Sequence, residues 1–234
     1  MTQRLIVDSQ SELREFRETD LQPASLAIRV LAKVLSYIFH PLFVPIYIIL
    51  FLLVAEPYFF AGFTMPEKLI TLLRFFIIYC FFPLVTVLLL KGLGFVSSVF
   101  LRTQKERIIP IIVCNIYYFW MAYVLRHQPE FSSLISQLAI AIFISSSIGL
   151  LANIYMKVSM HSISMGSLVG FIALLAFTQG NTYTMYLSLS LLLAGLVCTA
   201  RFIVSDHTQR EIYGGFLIGL VSILLAVWAD GILP

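Results

Sequence analysis

Residues 183–204 read YTMYLSLSLLLAGLVCTARFIV, residues 205–211 read SDHTQRE, and residues 212–229 read IYGGFLIGLVSILLAVWA. As an α-helix the first run is about 33 Å long, enough to cross a hydrocarbon core of ~30 Å, and Arg201 is its single charge. The second run carries no charge at all. The polar link between them has backbone groups that lipid cannot satisfy, so it belongs at a membrane face. These residues therefore predict a transmembrane helical hairpin.

Working outward, five more stretches are long and apolar enough to span: 29–55, 69–91, 108–125, 134–156 and 162–179. The last is interrupted by Ser162, Ser164 and Gly166 and is still counted as a span, giving seven. The run 92–101 is too short to cross and is expected at the interface. Residues 1–26 mix Arg4, Arg14 and Arg17 with Asp8, Glu12, Glu15, Glu18 and Asp20, and read as a polar or amphipathic tail with no cleavable signal peptide. The expected architecture is an all-α, polytopic transmembrane helix bundle of six to seven spans, with residues 27–234 as a single domain.

Composition agrees. Sixty per cent of the residues are apolar or aromatic and 12% are charged, whereas a soluble domain needs roughly twice that charged fraction. Lipid is thus the solvent for much of the exterior, and the bilayer is the first expected partner. A net charge of +3 gives no argument for nucleic acid. Cys80, Cys114 and Cys198 sit inside separate apolar runs, which suits small buried hydrophobes and indicates neither a disulfide framework nor a thiolate metal site.

The charges fall on this map with a parity. Lys91, Arg102, Lys105, Glu106 and Arg107 lie between the second and third spans. A hairpin later the chain returns with Lys157, Ser159 and His161, and a further hairpin returns Arg201, Asp206, His207, Arg210 and Glu211. Three clusters remote in sequence are therefore expected at one face. The other face receives Glu56, Glu67, Lys68, Arg126, His127, Glu130 and Asp230.

The converging set has guanidinium groups that fork onto phosphate oxygens, and imidazoles that attack phosphorus or donate a proton near neutral pH. His207 and Glu211, four apart, are expected on one side of the helix that opens the last span, with the carboxylate holding the imidazole in one tautomer. These residue types suit phosphoryl transfer with no metal and no cofactor. A zinc site from His161, His207 and Asp206 or Glu211 is the rival reading; the sequence offers no HExxH and no cysteine pair, and the surrounding cations oppose a metal. His40, beside Pro41 on the same face, is read as structural; Pro41 and Pro45 are expected to kink or begin the first helix, and Asn115 and Asn153 are read as helix–helix hydrogen bonds.

The same residues carry a family resemblance. Ala200-Arg201-Phe-Ile-Val-Ser-Asp-His207-Thr-Gln-Arg-Glu211, leading into a glycine-containing apolar run, resembles the S-R-x5-H-x3-D signature of the type 2 phosphatidic acid phosphatase superfamily. Arg201 and His207 keep its spacing, Ala200 stands for Ser, and Glu211 stands for Asp. Val158-Ser159-Met160-His161 resembles the P-S-G-H signature with Ser and His kept. Arg102-Thr-Gln-Lys105-Glu-Arg107-Ile-Ile-Pro110 loosely resembles K-x6-R-P. The three pieces occur in the family's order within 102–216.

The resemblance implies a membrane-bound lipid phosphatase of the bacterial inner membrane with a core like that superfamily's. It implies His207 as the nucleophile that forms a phosphohistidine, Glu211 as its orienting acid and His161 as general acid. Arg201, Ser159, and Lys105 or Arg107 would bind phosphate. The implied substrate is a membrane lipid phosphate or a polyprenyl (pyro)phosphate. The alternative is a catalytically silent relative that binds anionic headgroups or a membrane partner. Arg29, Lys33, Lys91, Arg102 and Arg210 put the site face in the cytoplasm by the positive-inside rule. Resemblance to family members acting on envelope lipids favours the outer side.

Overall fold

The computed structural model describes residues 5–7, 13–15, 24–101, 103–179, 183–205 and 207–232. Most of the expected tail, including Arg4, Asp8, Glu12, Arg17, Glu18 and Asp20, lies outside them. Within it, β1 (Leu5–Val7) pairs antiparallel with β2 (Leu13–Glu15).

The rest is helical. Nine α-helices follow among the described residues: α1 (Leu26–Ile38), α2 (Val44–Ala55), α3 (Met65–Phe76), α4 (Phe82–Gly92), α5 (Gln104–Arg126), α6 (Ser133–Tyr155), α7 (Met160–Gln179), α8 (Thr184–Val204) and α9 (Gln209–Ile232). A π-helical turn, Ile77–Phe81, joins α3 to α4 as one rod, Met65–Gly92. That turn precedes Pro83, whose missing N–H breaks the regular ladder there. Among the described residues six helices are long and apolar enough to cross a membrane: Met65–Gly92, Gln104–Arg126, Ser133–Tyr155, Met160–Gln179, Thr184–Val204 and Gln209–Gly231. The chain is an integral membrane helix bundle.

The expected first span, 29–55, is corrected: it is two helices, not one. The residue before a proline is pushed out of the α region, and proline donates no hydrogen bond to the preceding turn. Accordingly α1 ends at Ile38, His40 and Pro41 lie in the break, and Pro45 sits in the first turn of α2. α2 alone still carries the chain between the two ends, because His40 meets His161 at one end while Tyr58 hydrogen-bonds Gln179 at the other. α1 lies along α8.

The interior pair is α7 with α9, and small residues permit it. A Cβ at Gly166 would sit 2.0 Å from the Phe216 carbonyl oxygen, and one at Gly219 would sit 2.1 Å from that of Ile163. Lipid gives helices no hydrophobic reason to associate, so close backbone packing does that work. The serines and glycines that weaken 162–179 as an apolar run are thus what make it an inner helix. On α6, Gly149 meets the Ile163 side chain of α7, and Ser145 and Ser146 are buried.

Candidate functional site

The three polar clusters meet at one end of the bundle. The Arg107 Nη1 donates to the Val158 carbonyl at 3.0 Å, tying α5 to the link before α7. The Ser159 backbone N–H donates to the Glu211 carbonyl at 3.2 Å, tying that link to α9. The His161 Nε2–H donates to the Ser36 carbonyl at 3.0 Å, which brings α1 over the cluster.

His207 and Glu211 pair as expected, by a different local structure. His207 precedes α9 and is not on its surface. The Glu211 carboxylate accepts the Thr208 backbone N–H at 2.8 Å, and the Thr208 hydroxyl accepts the Glu211 N–H at 3.4 Å. This reciprocal capping box starts the helix and turns the carboxylate toward His207. The imidazole Nδ1–H donates to Glu211 Oε2 at 3.2 Å, with the His207 side chain 4% exposed. Its other nitrogen, Nε2, therefore carries a lone pair. Burial pushes this imidazole below its ordinary pKa; the hydrogen bond to Glu211 pulls it up, and the charges of Arg107 and Arg201 push it down. The net direction favours the neutral imidazole, the form in which Nε2 carries a lone pair.

Two guanidinium groups stand beside it. Arg201, in the last turn of α8, is half-buried, and its Nε has no hydrogen-bond partner. Arg107 is close enough for the two like charges to repel. Its Nε donates to the carbonyl of Leu101, which holds a left-handed φ of 47°. Glu211 acts on Arg107 as well, and so one carboxylate serves an arginine and an imidazole. Between Lys105 and Arg107, it is Arg107 that enters the cluster; Lys105 is exposed and makes no hydrogen bond or ion pair among the described residues.

Ser159 is fully buried, and its hydroxyl accepts the Ser162 N–H at 3.4 Å as the cap of α7. His161 lies near Arg201 and His207, its Nε2–H committed to α1. Arg102 and Asp206 fall outside the described residues. Among those described, no three His, Cys, Asp or Glu side chains converge as a metal set.

One residue was read as structural and is brought into the cluster. The His40 ring meets the His161 ring edge-to-face, with centroids 5.3 Å apart and planes at 84°. The signal that finds it is the hairpin parity, which already puts the His40-Pro41 break at this face. Burial, and then the charge of Arg201, hold the His40 imidazole below its ordinary pKa.

No protein-family model, curated protein or solved structure matches this chain.

Proposed function

We propose that the protein is a metal-independent phosphatase acting on a lipid phosphate or polyprenyl (pyro)phosphate. The carrying observation is the juxtaposition of two arginines, one of them with an unpartnered Nε, and an imidazole that Glu211 holds by Nδ1 and whose Nε2 is free. Like charges held together in a partly buried site call for an anion, and forked guanidinium donors match phosphate.

In this reading Arg107 and Arg201 bind the non-bridging oxygens. The His207 Nε2 lone pair attacks phosphorus, the P–O bond to the lipid breaks, and the leaving oxygen takes a proton. Glu211 stabilises the imidazolium character that develops on His207. Water then attacks the phosphohistidine, releases inorganic phosphate and regenerates the imidazole. The family resemblance gives the proton donor's role to His161; its Nε2–H is on Ser36 and its Nδ1 carries a lone pair, so it would first take a proton from water at Nδ1 and pass that proton to the leaving oxygen. The lipid chains would lie between helices, as the apolar exterior permits. The surplus of Lys and Arg at this end favours the cytoplasmic side.

The second reading, a silent headgroup-binding relative, draws on the Ser159 hydroxyl and the Glu211 carboxylate, both already engaged in helix caps. The experiment is phosphate release by detergent-purified protein, with EDTA, from phosphatidic acid, phosphatidylglycerophosphate and polyprenyl pyrophosphate. Release that disappears in a folded His207→Ala variant supports the phosphatase. Silence of the folded wild type across the panel rejects it in favour of the headgroup binder.

A further inference from the structure

Three imidazoles meet at this end, and hydrogen bonds fix which edge each leaves free. His207 spends its Nδ1–H on Glu211, leaving a lone pair at Nε2. His161 spends its Nε2–H on the Ser36 carbonyl, leaving a lone pair at Nδ1. His40 is the reverse case. The Leu42 backbone N–H donates to its Nδ1 at 3.4 Å, so its proton is on Nε2. That N–H has no acceptor among the described residues. Of the three rings, only His40 therefore presents an uncommitted donor, in a cluster whose other free groups belong to two arginines.

We propose that His40 is a substrate-binding residue of this site, its Nε2–H donating to an oxygen of the phosphate held by Arg107 and Arg201. This rests on the phosphate-site reading above and adds a residue that none of the three signatures contains. The break before α2 is then a functional feature. An uninterrupted helix over 29–55 would fold the His40 backbone into its own ladder, whereas the Pro41 break leaves the ring against His161 and within reach of Arg201's charge. A neutral imidazole suits the role, because it donates one hydrogen bond without adding a third fixed cation beside two repelling ones.

The competing explanation is that His40 serves the turn alone, through the Leu42 N–H. Two substitutions separate the explanations. Asparagine places an oxygen where Nδ1 stands, so His40→Asn keeps the turn and deletes the Nε2–H. Glutamine places an amide N–H near Nε2, so His40→Gln keeps the donor and gives up the turn bond. The expected result is a loss of about 20-fold or more in kcat/KM for His40→Asn at unchanged Tm, with His40→Gln recovering to within about fivefold of wild type. Wild-type kcat/KM in His40→Asn overturns the proposal.

A measurement on the wild-type chain does not depend on either variant folding. Inorganic phosphate titrated into 15N-histidine-labelled protein in detergent should shift the Nε2-protonated imidazole signal of His40. A signal that stays fixed at saturating phosphate overturns the proposal while leaving lipid phosphatase activity intact. A signal that moves in a protein that hydrolyses no lipid phosphate supports the His40 contact and rejects the enzymatic reading alone.

Discussion

The two ends of the bundle treat buried charge in opposite ways. At the far end Arg126 and Asp230 form a 2.6 Å ion pair whose side chains are 16% and 13% exposed. The Asp230 carboxylate also accepts from Gln137 at 3.0 Å, and its backbone carbonyl accepts from Arg126 at 3.2 Å. Tyr58 closes onto Gln179 nearby. At the His207 end two guanidinium groups repel each other, and Arg201 keeps an unpartnered Nε. One end is a closed ledger of charges that ties α5, α6 and α9 together; the other leaves like charges facing each other, as the proposed phosphate site requires. A cleft of about 600 Å³, lined by residues including Tyr58, Glu130, Gln137 and Gln179, lies at the closed end. Space alone therefore does not mark the site here; unpaired charge does.

Substitutions can break this contrast. The largest effect expected is at His207: His207→Ala should lower phosphate release at least about 10³-fold with little change in Tm, because it deletes the proposed nucleophile. A parallel loss of Tm would mean that the imidazole supports the fold. At the other end Asp230→Ala removes the carboxylate that pairs with the Arg126 guanidinium and should cost about 2 kcal/mol of stability, read as a lowered Tm in detergent, with activity kept within about twofold. Activity that collapses in a folded Asp230→Ala protein would erase the division between the ends.

Arg201→Gln sharpens the comparison. It should weaken kcat/KM by about 10- to 100-fold, since the proposed charge-assisted contact to phosphate is lost. Its Tm should hold or rise, because removal of one of two repelling cations relieves the fold. A fall in Tm would show that Arg201 is a structural anchor.

The smallest effect is on pH dependence. His207 must be unprotonated at Nε2, and burial holds its pKa below 6.5, so the acid limb of kcat/KM should lie below pH 6.5. Glu211 raises that pKa, so the residual activity of Glu211→Gln should show the limb at still lower pH. The same depression links to stability. The contribution is fully present above the unfolded value near 6.5 and is lost as pH falls through the folded one. A limb above 6.5 would contradict the buried, neutral imidazole.

Much of this was legible in the chain itself. Long apolar runs dictate helices wherever water is excluded, because each backbone group must be satisfied within its own segment. Counting those runs was enough to bring Arg107, Ser159, His161, Arg201, His207 and Glu211 to one end. Spacing also anticipated the His207–Glu211 pair, though not its cause, since four residues on a helix face and a capping box place the two side chains at a similar reach. Hydropathy counts 29–55 as one span because an average over side chains does not register a missing N–H, whereas Pro41 and Pro45 mark where that helix divides.

What only the tertiary structure decided is which of several equivalent groups faces the cluster. Lys105 and Arg107 are two residues apart and equally cationic in the sequence, and helix rotation turns one outward and the other in. His40 reads as a lone polar residue beside a proline until α7 supplies His161 to lie against it. The glycines of α7 and α9 look like weaknesses in two spans until each fills against the other's backbone. The sequence by itself determined that the protein is a membrane bundle with its polar chemistry at one end, because solvent exclusion acts on each segment separately. The roles within that end depend on side-chain direction and hydrogen-bond partners, which exist only once the segments are packed.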